Sequence, residues 1–139
     1  MDEVSSALRV YTAKVYAAEL PSHPHIADLD WICWAAPYDK LEGNLTLSAL
    51  IPNFKPAFTS DDYIVQIAAC TAGVGAMIMP QALRHYADFR KLQELDIDLG
   101  PDAVGSLFMV CHKRHRHLPK VQLVMDFISK EFDLLRQAA

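Results

Sequence analysis

Three cysteines, five glycines, no basic excess and no long apolar run: what this 139-residue chain lacks narrows its possibilities before any motif is read. Cys33, Cys70 and Cys111 lie far apart, each inside an apolar stretch (DWICWA, QIAACTA, LFMVCHK). That suits buried, reduced thiols in a cytoplasmic protein and excludes a disulfide framework. No apolar run approaches the ~20 residues needed to span a bilayer. The N-terminal stretch MDEVSSALRVYTAK carries early acids and no continuous apolar segment, so it does not read as an export signal. Thirteen Lys and Arg against 17 Asp and Glu leave a net charge of −4, with no broad electrostatic reason to bind nucleic acid or an anionic membrane. Catalytic constellations are missing too. There is no nucleophile elbow and no pair of carboxylates beside an apolar pocket motif, which points away from an enzyme.

What is present is an ordinary globular composition, 52% apolar, in one domain long enough to bury a core. LRVYT (8–12) alternates like a strand, AKVYAAEL (13–20) reads as a short helix, and WICWA (31–35) as an aromatic strand. Residues 37–52 are ambiguous, with a turn expected at Glu42-Gly43-Asn44. KPAFT (55–59) reads as a strand. A helix over 61–72 follows, with Ser60 as N-cap and Ile64, Ile67, Ala68 and Thr71 on one face. GAMIMP reads as a buried strand, QALRHYADF as a short helix, LQELDIDL as a marginal strand, and GSLFMVCHK (105–113) as the best strand of all. Pro119 opens a last helix. Strands alternating with helices indicate an α/β domain.

The last helix carries two apolar stripes. Val121, Val124, Met125, Ile128, Phe132 and Leu135 share one arc, while Leu123, Phe127 and Leu134 lie nearly opposite. Two stripes imply two things to pack against.

The glycines of TAGVGAMIMP raise a choice between a nucleotide-binding loop and plain punctuation. In a dinucleotide fingerprint the glycines follow a strand and open a helix. Here they follow a helix and open a strand, with no third glycine and no Gly-Lys-Ser/Thr. Gly73 is therefore expected as a left-handed helix cap within a tight turn.

This helix, the A-G-V-G-A turn and the apolar strand closing on Pro80 resemble the effector-binding domain of LysR-type transcriptional regulators. LRVYTAKVYAAELPSHPHIADLDWICWA is similar to that family's strand, tyrosine-containing short helix, proline loop and following strand. FTSDDYIVQIAACTAGVG resembles its turn-and-helix segment, and LFMVCHKRHRHLPKVQLVMDFISKEF its last strand, basic loop and closing helix. The resemblance implies a periplasmic-binding-protein-like (type 2) α/β fold, in which a small-molecule effector sits between two lobes. On that plan residues 13–103 form the second lobe, 8–12 and 105–112 the crossover strands, and 119–136 the closing helix. The winged helix-turn-helix and most of the first lobe would precede residue 8, so the chain is expected to be a partial domain, reaching DNA only through its parent protein. A homo-oligomer is expected, with Leu123, Phe127 and Leu134 as its contact. Alternatives are a stand-alone solute-binding protein of the same fold, or a fragment acting by oligomerising with a full-length partner.

Candidate effector-binding residues follow from the same plan: Thr59, Ser60 and Asp61 at the strand-to-helix turn, Thr12 and Ala13 at the end of the first crossover strand, and Phe108 and Met109 in the second. Each also has a plainer reading, as a cap for Ser60 and as sheet core for Phe108. Asp61 and Asp62 already occupy the positive end of the helix, which weakens the case for an anionic effector. Trp31 and Trp34 are three apart in a strand and point to opposite faces, one to the core and the other to a cleft or interface. HKRHRH (112–117) reads as a solvated basic loop, because no Cys or carboxylate stands at metal-site spacing. No metal or other cofactor is implied.

Overall fold

The computed structural model describes residues 2–86 and 89–138. Among them are strands β1 (Glu3–Ala13), β2 (Ile32–Trp34), β3 (Phe58–Ser60), β4 (Ala76–Pro80), β5 (Leu92–Leu95) and β6 (Val104–Phe108). The α-helices are α1 (Lys14–Ala17), α2 (Glu42–Leu50), α3 (Tyr63–Thr71) and α4 (Pro119–Ala138).

β1 organises the domain. Its C-terminal half lies between β4 and β5, antiparallel to both, while its first half pairs antiparallel with β6 (Glu3 opposite Phe108, Ala7 opposite Val104). Burial follows the neighbours. Exposed and buried residues alternate over Glu3–Ser6, and Val10–Ala13 are all buried because both faces of the sheet are covered there. β2 and β3 are parallel, and a parallel bridge from Trp31 to Ala76 joins them to β4. The resulting order is β3-β2-β4-β1-β5, with the first strand reversed inside an otherwise parallel set.

Period-2 side-chain alternation divides the core between the two faces. Trp31, Cys33, Val10 and Ala76 pack with Leu47 and Ile51 of the α2 region, whereas Ile32, Tyr11, Met77 and Met79 pack with Cys70 of α3. A third cluster sets Phe132 and Leu135 of α4 on Val4, Ala82 and Met109. Arg136 donates to the Asp2 carboxylate and the Glu3 carbonyl, tying the far end of α4 to the start of β1.

The turn after α3 resolves the glycine question. Gly73 has φ +85°, its N–H bonds the Cys70 carbonyl (3.0 Å), and the Val74 N–H reaches Ala69 (3.1 Å), a Schellman cap. Gly75 serves a different end. The Ala76 N–H donates to the Asp30 carbonyl (2.8 Å), and a Cβ on Gly75 would lie 2.0 Å from that oxygen.

Several sequence expectations are corrected. Glu42-Gly43-Asn44 is the first turn of α2, not a loop turn, because the Asn44 side chain is engaged elsewhere (below). The cap of α3 is Asp62, whose carboxylate accepts from the Ile64 and Val65 N–H groups, while Ser60 ends β3 and its hydroxyl accepts from the Asp62 N–H. Ile64 is on the wet face of α3, and the face turned inward carries Gln66 and Cys70. β6 stops at Phe108, which is 65% exposed rather than sheet core. QALRHYADF forms a 3-10 turn over Gln81–His85, and its Ala87 and Asp88 lie outside the described residues.

Burial pushes the Cys33 and Cys70 thiols from 9.0 up to about 12. Burial, with the Glu94 carboxylate beside it, pushes the Tyr11 hydroxyl from 10.0 to about 12. In all three the folded state favours the neutral form. The resulting stabilisation is complete below about pH 9 and is lost as pH rises through 12. Urea midpoints should therefore fall progressively above pH 9, and a midpoint unchanged to pH 11 would contradict this packing.

Candidate functional site

A pocket of about 570 Å³ opens at the carboxyl ends of β2 and β4, between α2, the start of α3 and the β6 strand. Carboxyl ends of the strands are where open α/β sheets bind ligands, and this volume is that of a small-molecule site.

Its most specific wall is aromatic. Trp34, at the end of β2, stacks on Tyr63 of α3 with ring centroids 5.4 Å apart and planes 8° from parallel. Tyr38 meets Trp34 edge-on at 5.6 Å. Trp31, two per cent exposed, points the other way, and its indole N–H donates to the Ile26 carbonyl (2.8 Å). Alternation along the extended segment Trp31–Trp34 thus sends one tryptophan to the core and the other to the pocket. Burial, reinforced by nearby Cys70, raises the Tyr63 hydroxyl well above its ordinary value, so it stays neutral at physiological pH.

Two buried amides hold this wall. Asn44 mimics a strand edge: its Oδ1 accepts from the Trp34 N–H (3.1 Å) and its Nδ2 donates to the Trp34 carbonyl (2.9 Å). Gln66, one per cent exposed, donates from Nε2 to the Ser60 carbonyl (3.0 Å). Apolar side chains (Leu8, Leu47, Ile78, Leu83) complete the base, and Gly105–Phe108 of β6 form one rim.

Of the candidate effector-binding residues named from sequence, Phe108 lines this pocket, as does Trp34, the tryptophan expected at a cleft or interface. Ser60 stands behind it, through Gln66. Thr59 and Asp61 lie beside it, exposed at the β3–α3 turn. Thr12 is fully buried near the far end of β1, where its hydroxyl donates to the Gly75 carbonyl (2.8 Å), and Ala13 is buried next to it. Met109 packs beneath α4. Sequence reasoning missed Asn44, Tyr63 and Gln66. A buried glutamine and an asparagine in a helix's first turn look like surface chemistry until their backbone partners are known.

The basic loop holds no converging ligand set. His112 accepts from the Arg114 N–H through Nδ1, and its ring lies 5.3 Å from that of His115. Among the described residues no group of three His, Cys, Asp or Glu side chains is placed to hold a metal ion. None of the described helices is long and apolar enough to cross a membrane.

No protein-family model and no curated protein matches this sequence. Solved structures do. The regulatory domain of CrgA, a LysR-type transcriptional regulator from Neisseria meningitidis, superposes over 92% of this chain with a TM-score of 0.66 at 19% identity. The chain has the fold of a LysR-type regulatory domain. A second structure of CrgA matches over 94% of the chain (TM-score 0.65, 17% identity), and a cysteine mutant of OxyR from Corynebacterium glutamicum over 98% (TM-score 0.52, 13% identity). The fold is accordingly the type 2 periplasmic-binding-protein-like one, with the reversed strand β1 inside a parallel set. This chain spans 65% of the CrgA regulatory domain and 47% and 46% of the longer CrgA and OxyR chains.

Proposed function

We propose that this chain is the small-molecule effector-binding and oligomerisation module of a LysR-type transcriptional regulator, acting on DNA binding or transcription through a parent protein. The observation that carries the reading is the Trp34–Tyr63 pocket at the carboxyl ends of the parallel strands, in a fold shared with LysR-type regulatory domains. On this reading residues 13–103 are the second lobe and 8–12 and 105–112 the crossover strands, which continue into the β1–β6 ribbon (Glu3–Ala7 against Val104–Phe108) and would carry ligand occupancy to the other lobe. Two segments left bare by the fold support a missing neighbour. Leu107, Phe108 and Val110 are exposed along and just past the ribbon, as are Leu123, Phe127 and Leu134 on α4. An effector that prefers one arrangement of lobes would shift the population toward it and so alter assembly.

A thermal-shift screen of small metabolites, run on the wild type and on Trp34→Ala, tests this. Compounds that raise the wild-type melting temperature should lose the effect in the variant, since the stacked wall is removed. Hits that stabilise both proteins equally would place binding elsewhere.

A further inference from the structure

The pocket's unspent chemistry specifies its ligand, an inference that rests on its being the effector site and adds the charge and shape of what it takes. We infer that it takes a flat aromatic molecule bearing a positive charge or N–H donors, and discriminates against aromatic carboxylates.

Shape comes from the wall. The Trp34 and Tyr63 rings stack on each other and leave only their outer sides and edges to a ligand, and the lining around them is mostly apolar, so a flat apolar ring buries surface against this wall. Charge comes from the rim. Among the described residues, Glu42 is the one charged side chain lining the pocket, and no Lys, Arg or His does so. Glu42 is exposed at the start of α2, and its carboxylate makes no ion pair or hydrogen bond to another described residue.

The remaining polar atoms lean the same way. Both ends of the Asn44 amide are engaged by the Trp34 backbone, and the Ser106 hydroxyl is shared with Ser5 (2.8 Å). Gln66, buried, uses its Nε2 on Ser60. The free N–H groups at the start of α3 are already met by Asp62. An arriving group thus finds a carboxylate and an aromatic wall, while the neutral Tyr63 hydroxyl serves either donor or acceptor. A cation is favoured by the first two. A carboxylate would be desolvated with no cation to meet it.

The test uses matched pairs of opposite charge on the same ring: benzylamine with benzoate, tyramine with 4-hydroxyphenylacetate, and 2-naphthylmethylamine with 2-naphthoate. Binding is followed by NMR at the Trp34 indole N–H, assigned with Trp34→Phe. We expect the amines to shift the Trp34 signal, with the matched carboxylates at least roughly ten-fold weaker. Glu42→Gln should weaken the amines roughly three- to ten-fold and leave the carboxylates unaffected. Carboxylates that bind the Trp34 site as tightly as the amines, or amines indifferent to Glu42→Gln, would overturn the charge assignment while leaving the pocket as the effector site. If no compound of either charge moves the Trp34 signal, the effector-site reading fails with it.

Discussion

Replacing Gly75 by alanine is expected to destabilise the chain by roughly 3 kcal/mol or more, a large share of the ~5–15 kcal/mol that holds an ordinary domain together. The added Cβ would stand 2.0 Å from the Asp30 carbonyl oxygen and 2.9 Å from its carbon. Both are backbone atoms, so neither can swing aside as a side-chain tip would. Relieving the clash means parting Asp30 from the Ala76 N–H (2.8 Å) and, one residue on, disturbing the Trp31–Ala76 bridge that joins β2 and β3 to the rest of the sheet. Gly43 provides the internal comparison. Its added Cβ would meet only Ile78, at 3.8 Å, inside a helix where alanine is favoured by about 0.5–1 kcal/mol. Urea denaturation of the two variants should move in opposite directions. A Gly75→Ala chain with wild-type stability would show that β4 does not lie so close to Asp30.

The second large effect concerns assembly. Leu123 is 73% exposed, Phe127 64% and Leu134 57%, all along the face of α4 turned away from its contact with Val4, Ala82 and Met109. Large exposed apolar side chains aligned along one helix face mark an interface. We expect self-association at concentrations in the tens of micromolar, and a monomer for the double variant Leu123→Glu, Phe127→Glu. Because these side chains are exposed, that variant should lose no more than about 0.5 kcal/mol of folding stability. Phe132→Ala, on the buried stripe of the same helix, should cost about 3–5 kcal/mol. Sedimentation velocity with a parallel denaturation curve separates the two stripes. A wild type that stays monomeric would remove the case for α4 as a contact.

The packing stripe of α4 was mostly legible because it rests on helical periodicity: Phe132 and Leu135 are buried and Met125 and Ile128 pack with them, although Val124, placed on the same arc, is 56% exposed. The same holds for the reversed order of the glycines, which places Gly73 after a helix, and for the opposite directions of Trp31 and Trp34. Resemblance added the LysR-type fold. What escaped was whatever depends on which backbone group a polar side chain meets. Glu42-Gly43-Asn44 has turn composition, yet it begins a helix because Asn44 reaches ten residues back to the Trp34 backbone. Ile64 looks like core and Gln66 like surface, but the Ser60 carbonyl gives Gln66 a reason to be inside. The cap moved from Ser60 to Asp62 because Ser60 is still part of β3. The pocket was missed for the same reason, being walled by these very residues.

The most direct measurement is a chemical-shift map of the chain titrated with a compound that stabilises it thermally. Shifts should concentrate at Trp34, Asn44, Tyr63, Gln66 and Ser106–Phe108, and carry along β1 toward Glu3. Shifts centred on the far end of β1 at Thr12 and Ala13, or scattered over the surface, would mean that the pocket at the strand ends is not where this protein senses anything.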